Sequence, residues 1–243
     1  MTTEEARRDQ SADATKGLTI LIAGGSSAAG IAGARAFTQA GHRVISVGSD
    51  GGRIAAAVAG IPGATGLVCD LADPDSVSLL ADQVHDQFGL VDGLVHLVGG
   101  WRGGDGIAGQ SDVDWDFLQR NVLTTLRNTS RTFYPDLAAS VTGRLSIVSS
   151  TAVSRPTAGN ANYAAVKAAA EAWVLAVADG FAVDGSRAAA VILAVKALVY
   201  DGMRAAAPQR NFPGFTDVKR LAEEVAGLFA RPAAELNGSR IIL

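Results

Sequence analysis

From residue 18 onward the sequence alternates short apolar runs with longer stretches of helical periodicity, and that alternation leaves few folds open. The runs at 18–23, 43–47, 93–98, 145–148, 188–193 and 239–243, with a shorter one at 67–68 that leads into Asp70, are mostly apolar from end to end. Such runs read as strands buried on both faces. Helical patterns fill the gaps: 31–40 closed by Gly41, 74–88 opened by Pro74 and stopped at Gly89, then 112–137, 163–181 and 217–230. Proline at a helix start and glycine just past its end are the expected punctuation. Buried strands separated by helices predict an α/β fold, a single doubly wound parallel sheet of about seven strands with helices on both faces. Residues 1–16 are polar and aperiodic and are expected to form a flexible arm, with 17–243 as the domain.

Composition narrows the function classes. With 48% hydrophobic and 19% charged residues, the chain is neither disordered nor of low complexity. A net charge of −3 lacks the basic footprint of a nucleic-acid binder. Cys69 has no second cysteine to pair with, and His42, His85 and His96 are too scattered to suggest a metal site. The apolar stretch 188–199 contains Lys196 and is too short to span a bilayer, and residues 1–16 lack the apolar core of a signal peptide. A cytoplasmic protein with no membrane or nucleic-acid partner is expected.

The first strand runs into Ala23-Gly24-Gly25-Ser26-Ser27-Ala28-Ala29-Gly30 and then a helix. Glycines there let the backbone turn sharply and approach a pyrophosphate, while the helix start offers free N–H groups and a positive dipole end. The placement predicts a Rossmann-type dinucleotide site, with Gly24, Ser26, Ser27 and Gly30 as its cradle. At the end of the second strand an acid ordinarily accepts the adenosine ribose hydroxyls. Here the segment is Val47-Gly48-Ser49-Asp50, so the acid is late by two positions and reads equally as a solvated turn residue. No arginine is evident at that turn. Gly48 cannot repel a 2′-phosphate and Ser49 can donate to one, so NADP(H) is expected to be weakly favoured over NAD(H), about tenfold.

Tyr163 and Lys167 are spaced i, i+4 and share one helix face. An ammonium beside a phenol is expected to favour the phenolate and so to tune a proton donor or acceptor. Thirteen positions before Tyr163, just past a strand, stands Ser150, and Asn121 lies in the helix after the fourth strand.

With the N-terminal glycine turn, these residues make the chain from about 18 to 243 resemble the short-chain dehydrogenase/reductase superfamily. The resemblance implies an NAD(P)-dependent oxidoreductase acting on a small carbonyl or alcohol. Tyr163 would be its general acid/base. Lys167 would hold the nicotinamide ribose and tune Tyr163, Ser150 would bind the substrate oxygen, and Asn121 would hold a relay water. It further implies that Asp70 and Leu71 lie beside the adenine and Gly99 beside the cofactor. A homodimer or homotetramer is implied through the helices around 121–137 and 163–181, the latter carrying Ala168, Ala169, Ala170, Ala172 and Trp173.

Departures from the family pattern are informative. Its middle loop glycine is Ala28, its Asn-Asn-Ala-Gly after the fourth strand is His96-Leu97-Val98-Gly99, and its Pro-Gly after the sixth strand is Leu193-Ala194. The stretch from Val98 to Gly104 is locally similar to dihydropteridine reductases, and Asn160 to Ala165 to 3-oxoacyl-carrier-protein reductases. The latter dock an acidic carrier through basic residues; the corresponding positions are Val141 and Asp184, so a carrier-protein partner is not expected. A dihydropteridine-reductase-like enzyme, and a cofactor-binding regulatory protein without turnover, stay open as alternatives. Trp101 and Arg102 are expected over the cleft as pocket wall and anion clamp, with Tyr200 and Met203 in a substrate lid at about 195–215. The acids Asp112, Asp114 and Asp116 read as helix N-terminal residues rather than metal ligands.

Overall fold

The computed structural model describes residues 17–243; the expected arm at 1–16 lies outside the described residues. Seven parallel strands form one sheet in the order β3-β2-β1-β4-β5-β6-β9. They are β1 (Thr19–Ala23), β2 (Arg43–Gly48), β3 (Ala64–Val68), β4 (Gly93–His96), β5 (Arg144–Ser150), β6 (Ala189–Val195) and β9 (Arg240–Ile242). Successive residues of β1 explain the apolar runs. Ile20 and Ile22 pack into the layer with Phe37, Val191, Leu221 and Phe229, while Leu21 and Ala23 pack into the opposite layer with Leu94, Phe133, Leu145 and Phe181. A strand covered on both faces has no place for polar alternation. Each fully buried Ile, Leu or Phe contributes on the order of 1.5–3 kcal/mol.

The covering helices are α1 (Ala28–Gln39), α2 (Gly51–Val58), α3 (Pro74–Phe88), α4 (Asp112–Leu118), α5 (Thr125–Ala139), α6 (Ala161–Val183), α7 (Asp201–Ala206), α8 (Val218–Gly227) and α9 (Ala233–Leu236). Side-chain caps start several of them: Ser27 for α1, Asp50 for α2, Asp73 for α3, Ser111 for α4 and Asp217 for α8. No helix among the described residues is long and apolar enough to cross a membrane.

Three local expectations need correction. Asp50, read equally as a solvated turn residue, caps helix α2 at Gly51, its carboxylate accepting from Arg53 N at 2.7 Å. The expected lid is more ordered than a loop: β7 (Leu198–Val199) pairs with β8 (Thr216–Asp217) and α7 lies between them. The strand expected over 188–193 runs on to Val195, with Leu193 and Ala194, placed after it in the sequence reading, inside β6 and paired to Ile241 and Ile242 of β9. Without Pro-Gly nothing stops the ladder there.

The chain order reverses between β1 and β4, and a parallel sheet opens a crevice at the carboxyl ends of its strands at that switch point. Those ends carry Gly24, Ser49, Gly99, Ser150 and Lys196.

Candidate active site

Two adjoining cavities occupy the crevice, sharing Leu97, Val98 and Gly99. One, of about 470 Å³, is lined by Gly24, Ser26, Ser27, Ser49, Asp70 and Leu71 among others. The glycine turn is sterically required. Gly24 has φ +84°, and a Cβ on Gly30 would lie 2.6 Å from the Gly24 carbonyl oxygen. Ser27 Oγ donates to Gly24 O at 2.8 Å and accepts from Gly30 N at 3.0 Å, so its hydroxyl braces the turn. Ala28, where the family carries glycine, faces away into a groove between α1 and α8. Its methyl therefore leaves the cavity clear.

The Asp50 carboxylate is held at its own helix start, and those backbone bonds keep it below the usual carboxylate range. It does not line the cavity; Gly48, Ser49 and Arg53 do. An arginine thus lines the cavity near the end of β2, contrary to the sequence expectation, with its Nε 3.6 Å from the Asp50 carboxylate. The Asp50 cap and the first turn of α2 bring it to the same cavity as Ser49. Asp70 pairs with Arg120 at 2.6 Å and accepts from Ala72 N at 3.0 Å.

The second cavity, of about 1010 Å³, gathers Ser150, Tyr163 and Lys167. Ser150 ends β5; its Oγ accepts from Ala152 N at 3.1 Å, which leaves the hydroxyl hydrogen to donate. Lys167 Nζ is buried and donates to Val148 O at 2.7 Å, 6.0 Å from the Tyr163 ring centre. Burial pushes the ammonium down to about 8, against an opposing pull from Glu171 one helical turn on. The Tyr163 phenol is shifted up by burial, with the Ser150 hydroxyl pulling it the other way. The expected lowering of Tyr163 by Lys167 is therefore corrected: desolvation prevails, and the phenol keeps its proton at neutral pH.

Sequence reading missed the groups behind these three. Glu171, itself buried, accepts from Ser149 Oγ at 2.5 Å and from Arg240 Nε at 3.0 Å. Arg240 also donates to Ser150 O at 3.0 Å. The Lys167–Glu171 i, i+4 spacing was a signal; Arg240, on β9, left none.

Asn121 lines the first cavity rather than the second. It sits in a π-helical turn, Gln119–Thr124, that joins α4 to α5. Thr125 N bonds back to Arg120 O, one residue further than an α-helix allows, and Thr125 Oγ1 donates to Asn121 O at 2.8 Å. His96 Nε2 lies 3.1 Å from Thr125 Oγ1. Since the Thr125 hydrogen goes to a carbonyl, His96 is the donor and its proton is on Nε2. Burial, with Lys167 nearby, lowers this histidine to about 3, so it is neutral.

Trp101, Tyr200 and Met203 line the second cavity as expected, but Arg102 does not. Arg102 stacks 3.8 Å over the Phe117 ring and pairs with Asp114 at 3.4 Å, which turns it away from the cleft. Asp114 is engaged there and with Ser111 Oγ at 2.7 Å. Arg155 and Lys196 line the cavity instead.

The sequence pattern of the family described as short chain dehydrogenase matches residues 18–201. The chain belongs to the short-chain dehydrogenase/reductase family. It is an oxidoreductase of that family. An uncharacterised short-chain type dehydrogenase/reductase of Sinorhizobium fredii is 30% identical over 181 residues, 71% of each chain. Among solved structures, an NADPH-bound short chain oxidoreductase from Pseudomonas aeruginosa, described as containing an atypical catalytic center, is similar at 22% identity. Its TM-score is 0.82, over 94% of this chain and 96% of that one. L-sorbose reductase from Gluconobacter frateurii, solved with NADPH and L-sorbose, is similar at 18% identity and TM-score 0.80, over 94% and 95%. At these identities the structural likeness shows the shared fold.

The buried lysine makes stability depend on pH. Its folded value, about 8, lies below its ordinary 10.5, so folding disfavours the charged form. That penalty is complete below pH 8 and relieved as pH rises towards 10.5. Urea unfolding of wild type and Lys167→Met at pH 8 and pH 10 is expected to show wild type gaining about 1–2 kcal/mol relative to the variant.

Proposed function

We propose that the protein transfers hydride between NADP(H) and a small carbonyl/alcohol pair, with Tyr163 as the proton donor. The observation that carries this reading is the convergence of Tyr163, Lys167 and Ser150 on one cavity that opens onto the glycine turn. The two cavities, meeting at Gly99, suit the two halves of a dinucleotide. When bound, the nicotinamide supplies the hydride.

The chain's own residues do the rest. The Ser150 hydroxyl donates to the substrate oxygen, where charge develops. Tyr163, protonated at neutral pH, gives its proton to that oxygen in reduction and takes it back in oxidation. Lys167 supplies positive charge beneath the phenol and holds the nicotinamide ribose. Asn121 serves as the relay position, its carbonyl held by Thr125. Gly24, Ser26 and Gly30, together with the start of α1, receive the diphosphate. Asp70 and Leu71 would flank the adenine.

NADP(H) is the preferred form. Asp50 is withheld from the ribose by its helix cap, while Ser49 and Arg53 face the place where a 2′-phosphate would lie. A charge-assisted contact from arginine adds to the serine hydrogen bond.

A dimer or tetramer is the working assembly. Ala165, Ala168, Ala169, Ala172 and Ala176 are exposed along α6 beside Leu175, a face that permits close helix approach. Ala170 instead faces the core, and Trp173 is anchored within the chain by its Nε1 bond to Ser130 Oγ at 2.8 Å.

Three outcomes are expected. Tyr163→Phe lowers turnover by about 10²–10⁴ while cofactor still binds, measured by nicotinamide absorbance and fluorescence titration; near wild-type turnover would overturn the reading. Arg53→Ala weakens NADPH by about tenfold and leaves NADH nearly unchanged, measured as dissociation constants. Light scattering at micromolar concentration gives twice or four times the chain mass; a monomer mass excludes the α6 interface.

A further inference from the structure

The reaction cavity is lined by three cations, Arg155, Lys167 and Lys196, and by no carboxylate among the described residues, although the chain as a whole carries −3. The neighbouring cavity is different: there Arg120 is already matched by Asp70. Lys167 is accounted for by the reaction itself. Arg155 and Lys196 are not.

Both flank Ser150. Val195 is the register partner of Ser150 across the β5–β6 ladder, with neighbouring strands about 5 Å apart. Lys196 is the next residue, brought there because β6 runs on through Leu193-Ala194. Its Nζ donates to Pro213 O at 3.0 Å, so one of three ammonium hydrogens ties down the lid segment and two remain. Arg155 lies five positions after Ser150 and lines the same cavity. The turn after Ser150 folds back through Ser154 N to Thr151 O and Arg155 N to Ala152 O, both at 3.2 Å. No carboxylate lies within ion-pair distance of Arg155 among the described residues, and its side chain is exposed to the cavity. The diphosphate has its own receiver in the glycine turn and the start of α1.

We propose that Arg155 and Lys196 form an anion clamp, and that the substrate is a carbonyl compound carrying a carboxylate or phosphate. This rests on the carbonyl-reduction reading above. The clamp binds the charged end while Ser150 and Tyr163 take the carbonyl oxygen. In the balanced reaction, hydride from reduced nicotinamide forms the new C–H bond and the Tyr163 proton completes the hydroxyl. The products are the hydroxy anion and NADP⁺. The bound anion is unchanged throughout. Trp101, Leu198 and Met203 give the space between clamp and carbonyl an apolar wall.

The test uses probe pairs that differ in charge: 4-formylbenzoate and its methyl ester, acetoacetate and its methyl ester, dihydroxyacetone phosphate and dihydroxyacetone. NADPH oxidation by the full chain is expected to favour the charged member by about ten- to hundredfold in kcat/KM, with added salt reducing the ratio. The carboxylate and phosphate pairs separate the two sources of negative charge. Arg155→Gln and Lys196→Gln bring the ratio towards one, Arg155→Lys retains most of it, and Arg155→Glu inverts it. Equal or better use of the neutral members overturns the proposal. So does a loss of NADPH affinity in these variants with the ratio intact, because the cations would then serve the cofactor. If no probe turns over, calorimetry on the NADPH-loaded protein decides. Tighter binding of the anions, lost in Arg155→Gln, supports the clamp; equal or absent binding rejects it. The underlying reading fails separately, if Tyr163→Phe reduces the probes at the wild-type rate.

Discussion

A buried ammonium is the constraint around which the centre of this molecule is built. Lys167 is withdrawn from water, and a charge in that position is tolerated only when compensated. The Val148 carbonyl supplies one partner and Glu171 the opposing charge, but Glu171 is buried as well and needs partners of its own. Ser149 and Arg240 provide them, and Arg240 reaches on to the Ser150 carbonyl. One charge thus ties α6 to the end of β5 and to β9, and Ser150, proposed above to meet the substrate oxygen, is held from behind by the same network.

The field of that ammonium also explains its neighbour. A histidine where the family carries asparagine looks at first like an added acid or base. Burial beside Lys167 keeps His96 neutral, and its Nε2–H is directed to Thr125. It acts on the π-helical turn, whose slipped backbone register is supported by the Thr125 hydroxyl and by Asn121 Nδ2 donating to Phe117 O at 2.8 Å. Side chains take up bonds that the regular helix would have made between backbone groups.

What could be read beforehand follows from the range of the interactions. The seven strands were visible because each is covered on both faces, and Tyr163, Lys167 and Ser150 because their spacing along one strand–helix unit fixes their geometry. Arg102 was misjudged because its partners, Asp114 and Phe117, are supplied by a helix whose approach the local sequence does not reveal. Arg53 reaches the cavity only through the cap and first turn of α2, a helix that the periodicity did not reveal. Lys196 reaches the cavity only because β9 pairs with Leu193-Ala194 and carries β6 forward. Each miss is a consequence of tertiary pairing overriding a local pattern.

The placement of Arg240 has a consequence for how the protein is made. Glu171 and Arg240 lie 69 positions apart in the chain, so the carboxylate is synthesised well before its guanidinium partner. Until β9 docks beside β6, Glu171 has the Lys167 ammonium nearby but not yet its Arg240 partner. The same guanidinium reaches the Ser150 carbonyl, 90 positions earlier in the chain. On a nascent chain both the Glu171 carboxylate and the Ser150 carbonyl therefore wait for one residue of the last strand.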